Sequence, residues 1–216
     1  MTSGDFQLPT QFDHLAVFAW ALSGAVIGLR KRYDIIGLFM TALLSSIGGG
    51  VIRDGVLLQR TPAVLTDPLY LPLILAATVC VVLLRAQIER ARLVERLVAM
   101  IDAIGTPALA VVGLQLALRA HLPIPGVMLI GCVSGVGGGV LRDVVVRDTP
   151  EIFKPGHFLA IPVALACAAF LTLTLVLKTP QAATAWGTVA GFFVVRVLTL
   201  RYDWRTRAIL PEDGGG

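Results

Sequence analysis

The sequence predicts an all-α membrane protein: seven transmembrane helices, arranged as two inverted three-helix repeats plus a seventh helix. Three observations carry this expectation. Of 216 residues, 56% are hydrophobic and 15% charged, with a mean hydropathy of +0.82, whereas an average soluble domain has roughly 25% charged residues. The apolar residues fall into runs of about membrane-crossing length, broken by short clusters of Arg, Lys, Pro and Gly. A heptapeptide, Gly48-Gly49-Gly50-Val51-Ile52-Arg53-Asp54, returns 89 residues later as Gly137-Gly138-Gly139-Val140-Leu141-Arg142-Asp143. This composition excludes disorder, a disulfide scaffold and an ordinary cytosolic enzyme, and it leaves residues 1–216 as a single transmembrane domain.

Reading from one charge cluster to the next gives the seven spans: about Leu15 to Leu29, Ile35 to Leu57, Leu69 to Leu84, Ala103 to Leu118, Pro123 to Val146, Phe158 to Leu177, and Ala182 to Leu200. A helix rises about 1.5 Å per residue and the hydrocarbon core is about 30 Å thick, so each run can cross if its ends snorkel. Residues 1 to 12 have no Lys or Arg and include Asp5, which is the wrong n-region for a signal peptide, so the first span is expected to stay in the mature protein.

Charge sets the expected orientation. Counted loop by loop, twelve Lys and Arg fall on one side and three on the other, with Arg53, Arg142 and Arg196 left within spans. Positive residues are retained on the cytoplasmic side, which puts the N-terminus outside and the C-terminus, with Arg201, Arg205 and Arg207, inside a bacterial plasma membrane. The net charge of +4 therefore reports topology rather than nucleic-acid binding. The terminal Gly214-Gly215-Gly216 is uninformative.

The repeat extends well beyond the heptapeptide. At the same offset Asp13 meets Asp102, Gly24 meets Gly113, Arg30 meets Arg119, Gly37 meets Gly126 and Ser45 meets Ser134, and Thr61-Pro62 matches Thr149-Pro150 with one residue of slippage. The halves run roughly from 13 to 85 and from 102 to 177. Each holds three spans, an odd number, so the second enters the membrane from the opposite side. Such inverted repeats characterise proteins that move solutes through a midplane site. The seventh helix, 182–200, lies outside the repeat.

Three successive glycines cost about 1 kcal/mol each against alanine in a helix interior, so the second and fifth spans are expected to kink at Gly48–Gly50 and Gly137–Gly139. Bared carbonyls there would line a path. The alternative role of such glycines is close helix packing. Thr41, Ser45, Ser46 and Ser134 add hydroxyls within one or two turns and are candidate wall residues, unless they bond back to a carbonyl one turn earlier. Ionisable groups inside spans are functional-site hypotheses, which singles out Arg53-Asp54 and Arg142-Asp143 for mouth-lining, gating or bundle clamping. Neighbours on a helix point about 100° apart, so each Arg is expected to bridge to another helix, with Asp13 and Asp102 as charge partners.

Other residues carry less. Arg119 can sense voltage or snorkel. The basic run Arg85, Arg90, Arg92 and Arg96 can meet anionic lipid head groups or serve topology alone. His14, His121 and His157 lack ligand-like spacing, and Cys80, Cys132 and Cys167 read as buried small hydrophobes, so no metal site is expected. No nucleophile-base constellation, Walker motif or dinucleotide fingerprint is present, so neither catalysis nor a cofactor is expected.

On the paired Gly-Gly-Gly-x-x-Arg-Asp units, the inverted halves and the seventh helix, the sequence resembles the trimeric intracellular cation (TRIC) channel family, specifically its bacterial members. The resemblance implies a homotrimer in which each subunit has its own pore along the second and fifth helices, conducting potassium and less selectively sodium. Animal members carry a lipid-binding Lys-Glu-Val at the second kink; here both kinks read Gly-Gly-Gly, which removes that phosphoinositide site, although other bound lipid remains compatible. Similar bacterial sequences are also labelled glycine transporters, so a secondary transporter of a small solute is the alternative. A lipid-organising protein that passes nothing is a third. Exposed carbonyls and hydroxyls can replace part of a cation's hydration shell. The buried Arg residues fit cation passage only if carboxylates neutralise them.

Overall fold

The computed structural model describes residues 10–90, 94–154 and 159–202. Asp5, Arg92, His157, Arg205, Arg207 and Gly214–Gly216 lie outside the described residues. Every described element is helical. In chain order they are α1 (Thr10–Arg30), α2 (Ile35–Val51) continued by a π-helical segment (Ile52–Leu57), α3 (Ala63–Thr66), α4 (Tyr70–Leu83), α5 (Arg85–Arg90), α6 (Val94–Arg119), α7 (Ile124–Val145), a 3-10 turn (Glu151–Phe153), α8 (Ala160–Leu171) continued by a π-helical segment (Thr172–Val176), and α9 (Gln181–Arg201).

Five of the seven expected spans are long and apolar enough to cross a membrane: Phe12–Arg30, Ile35–Leu57, Arg96–Arg119, Ile124–Val145 and Gln181–Arg201. The third span of each half is shorter, at Tyr70–Leu83 and Ala160–Val176. These two shorter helices still present apolar faces outward: Leu71, Leu75 and Leu83 on α4, and Ile161 and Leu165 on α8, are all exposed. Surfaces of this kind need lipid or another protein against them.

The helix ends show how closely the halves repeat. α1 closes with Arg32 in the left-handed region, φ 58°, while the Tyr33 N–H donates back to the Gly28 carbonyl. α6 closes identically, with His121 at φ 55° and the Leu122 N–H on the Ala117 carbonyl. Both are glycine-free versions of the left-handed C-terminal cap that satisfies orphan carbonyls. Entry to α2 is fixed by Asp34, whose Oδ1 accepts from the Gly37 N–H at 2.8 Å. Asp34→Ala is expected to lower the unfolding free energy by about 1 kcal/mol, read as a small fall in the thermal midpoint in detergent.

α1, α2, α6 and α7 form the centre, with α1 packed on α2, α6 on α7, and α2 against α7. α1 serves two cores. Val17, Ala21 and Ala25 join Leu38, Ala42, Ile74 and Ala77 in the first half, while Phe12, Ala16 and Trp20 join Ala103, Leu114 and Phe170 in the second. α9 completes the second core through Ala185, Val189 and Phe192. The three cysteines are free thiols, with the Cys132 and Cys167 sulfurs 4.0 Å apart.

Both glycine triplets, the positions expected to kink, lie in α-helix, the first with only Val51 between it and the π-helical Ile52–Leu57. Their role is contact: a Cβ on Gly49 would stand 2.7 Å from the Ser134 carbonyl oxygen, and one on Gly138 2.1 Å from that of Ser45. Only hydrogen fits where two backbones meet this closely. Of these two spans, only the first has irregular backbone, after its triplet, in the π-helical Ile52–Leu57 containing Gly55. The corresponding stretch of α7, with Val144 in place of Gly55, stays α-helical.

Candidate functional site

The α2–α7 crossing is built on reciprocal contacts. Gly49 meets Ser134 while Gly138 meets Ser45. This contact recurs with both partners shifted by the repeat and exchanged, the mark of a two-fold relation. Within each half, Gly24 of α1 meets Thr41 and Ser45 of α2 just as Gly113 of α6 meets Ile130 and Ser134 of α7. The small residues therefore bring α1, α2, α6 and α7 together around one pseudo-two-fold axis.

Two cavities flank this crossing. The first, about 10 Å³ or room for roughly one water molecule, is lined by Asp13, Val17, Ser46, Gly50, Arg53, Asp54, Tyr70 and Leu109 among others. The second, also about 10 Å³, is lined by Trp20, Asp102, Thr106, Gly139, Arg142, Asp143 and Glu151 among others. Repeat partners occupy equivalent places: Asp13 and Asp102, Gly50 and Gly139, Arg53 and Arg142, Asp54 and Asp143. Symmetry is broken where Val17 and Leu109 of the first cavity face Thr106 and Trp20 of the second.

The arginines do not behave as their spacing suggests. Arg53, 2% exposed, lays Nε on Asp54 Oδ1 at 2.8 Å and Nη2 on Oδ2 at 2.9 Å. Arg142 Nε reaches Asp143 Oδ1 at 2.8 Å. Each Arg thus pairs with its own neighbour, because the long stem curls across the angle between adjacent positions and two charges in an apolar interior gain most from the nearest partner. Bridges to other helices are added on top. Arg53 Nη1 donates to Ser134 Oγ at 3.3 Å; Arg142 Nη1 donates to Ser23 Oγ at 2.6 Å and lies 3.4 Å from Asp102 Oδ2.

Asp102 is therefore a charge partner as expected, whereas Asp13 accepts from the Tyr70 hydroxyl. The far oxygens of Asp54 and Asp143 accept the Ala63 and Glu151 N–H groups at 3.3 and 3.2 Å. This explains the repeated Thr-Pro: Pro62 and Pro150 precede short helical turns whose first N–H is held by the motif's carboxylate.

The hydroxyls divide. Thr41 and Ser46 bond back to carbonyls of their own helix, the alternative role considered for them. Ser134 donates to the Leu109 carbonyl at 2.9 Å while receiving Arg53. Ser45 Oγ is buried without a protein partner among the described residues. Arg119 lies exposed at the end of α6, away from both cavities. Ser23, Trp20, Tyr70 and Glu151 were missed in the sequence because the repeat does not duplicate them. Arg196 was visible as a charge within a span, but its partner Glu151 was not. The Arg142 guanidinium also stacks 5.5 Å above the Trp20 ring.

A family model described as "Glycine transporter" matches this chain twice, over residues 10–86 and 99–175. A UPF0126 membrane protein of Deinococcus radiodurans is 34% identical over 84% of this chain and 83% of its own. A solved prokaryotic TRIC channel shares 26% identity and superposes with a TM-score of 0.81, covering 89% of this chain and 95% of that one. The chain belongs to the bacterial TRIC-like family. The UPF0126 inner membrane protein YadS of Escherichia coli is a further relative, 25% identical over 94% of this chain and 97% of its own. In this TRIC-like chain the solved fold neighbours are cation channels, and the repeated glycines and Arg-Asp pairs stand at the centre of the shared architecture.

Proposed function

We propose that this TRIC-like protein is a channel for monovalent cations, potassium and less selectively sodium, and not an enzyme. One observation carries the reading: two cavities related by the repeat approach the same glycine crossing. A solute crossing the protein would pass from one cavity to the other between α2 and α7, where backbone carbonyls and the Ser45 and Ser134 hydroxyls supply oxygen ligands. As drawn, the two helices touch there, so conduction requires them to part. Glycine contacts suit such a step, because no interlocked side chain has to be withdrawn.

The charges also fit cations. Asp54 lies against Arg53, and Asp143 with Asp102 against Arg142, so neither arginine presents an uncompensated positive charge to an ion. In the bacterial plasma membrane the N-terminus lies outside and the C-terminus in the cytoplasm, following the Lys and Arg distribution. The exposed apolar faces of α4 and α8 meet lipid or neighbouring copies, and the homotrimer follows from the TRIC likeness. Arg119 is then a membrane-end anchor or voltage-sensing charge rather than a pore residue.

The deciding experiment is recording from purified protein in planar bilayers under asymmetric potassium chloride. Discrete openings that reverse toward the potassium equilibrium potential are expected, with a smaller sodium conductance. Silent bilayers together with saturable, ion-coupled uptake of radiolabelled glycine would instead establish the transporter reading.

A further inference from the structure

The two cavities correspond residue by residue, but their rims do not. At the first, His14 Nε2 lies 2.6 Å from Asp67 Oδ2, tying α1 to the segment between α3 and α4. Asp67 is anchored in turn, its Oδ1 accepting the Leu69 N–H at 2.9 Å. This backbone bond, and then the bond from His14, hold the Asp67 carboxyl below the usual range. The same segment begins with Pro62, Ala63 and Val64, which wall the first cavity. His14 also meets the Tyr70 ring edge-on, centroids 6.0 Å apart, and Tyr70 donates to Asp13 inside that cavity.

The second cavity has a different fastening. Its equivalent turn is held by Arg196 of α9 on Glu151. A guanidinium keeps its proton throughout the physiological range, whereas imidazole is the side chain whose ordinary titration falls inside it.

We propose that His14 and Asp67 form a proton-sensitive latch that holds the Pro62–Leu69 segment over the first cavity, so that this mouth responds to pH. This regulation rests on the permeation reading. With His14 protonated the pair is an ion pair and the segment is held down. As pH rises His14 loses its charge while Asp67 remains ionised, so the latch weakens and the mouth is freed. Besides Asp67, Tyr70 of α4 meets His14; Asp13 of α1 and Arg53 and Asp54 at the end of α2 line the adjoining cavity with Tyr70, and Arg60 lies 3.4 Å from Asp54. Carboxylates, phenol and guanidinium ordinarily keep one charge state between about pH 5 and pH 8, which leaves His14 as the group that changes.

The test changes pH in one bilayer chamber at a time. Acidifying the His14 side from about pH 7.5 to about pH 5.5 is expected to lower open probability at least about threefold, and acidifying the other side to leave it unchanged. His14→Gln and Asp67→Asn should each abolish that response while still conducting. An equal response from both sides, a response that survives in His14→Gln, or no response in the parent protein would overturn the latch.

A second readout is independent of current. Backbone hydrogen exchange of the Pro62–Leu69 segment in detergent, corrected for the intrinsic pH dependence, should be faster at about pH 7.5 than at about pH 5.5 in the parent and show no such difference in His14→Gln. No difference in the parent, or one that survives in His14→Gln, overturns the latch. A difference confined to the parent alongside silent bilayers keeps the latch and overturns the channel reading.

Discussion

Gly138→Ala is expected to be among the most damaging single-methyl additions this protein can receive. The new carbon would stand 2.1 Å from the Ser45 carbonyl oxygen, and the obstacle is backbone, not the end of a movable side chain. Relief requires α2 and α7 to separate at the crossing that joins the halves. Overpacking ordinarily costs about 1–3 kcal/mol, and the value here should lie at or above the upper end. Gly49→Ala, facing the Ser134 carbonyl at 2.7 Å, should follow at a smaller cost. Gly187→Ala on α9, with nothing within 4 Å, is the control and should be neutral or slightly stabilising through helix propensity. Thermal unfolding in detergent measures all three.

The bulkier Gly138→Leu and Gly49→Leu should abolish ion flux. Each leucine side chain would occupy the crossing between the two cavities, the passage the permeation reading requires. Equal stability of parent and Gly138→Ala would remove the crossing from the account of the fold.

Asp54→Ala is the second large effect, expected to cost about 3–5 kcal/mol, the usual consequence of leaving a buried charge without its partner. Arg53 is 2% exposed and takes both carboxylate oxygens of Asp54, so its directly bonded partner would be lost and only Asp13 across the same cavity would remain. Removing both charges together, in Arg53→Met with Asp54→Leu, should recover most of the loss, because the desolvation cost disappears with the pair. Asp143→Ala should be milder, since Arg142 keeps Asp102 at 3.4 Å and stacks on Trp20. Chemical unfolding in mixed micelles gives the cycle, and an Asp143→Ala penalty equal to that of Asp54→Ala would show that Asp102 provides no compensation.

Much of the candidate site was legible because duplication writes itself into sequence. Two copies of a rare string mark Gly48–Gly50, Gly137–Gly139 and both Arg-Asp pairs without any knowledge of packing. Residues recruited by one half only left no such mark. Tyr70, Trp20 and Glu151 are ordinary apolar-run or loop residues until the fold places them beside Asp13, Arg142 and Arg196. The kink expectation weighs only the local half of what a missing Cβ does. Helix propensity treats glycine as a local weakness, whereas in this protein the same missing Cβ permits a tertiary contact that holds the helix in place.

By itself the sequence determined the membrane class, the positions of the apolar runs and the duplication, because hydropathy and repeat offset are local properties of a string. Which face of each glycine triplet meets which carbonyl, that each arginine folds onto its neighbour while also reaching across to Ser134, Ser23 or Asp102, and that His14 meets Asp67 were decided by tertiary structure. Those outcomes depend on distances between segments far apart in the chain, and only the packed helices set those distances.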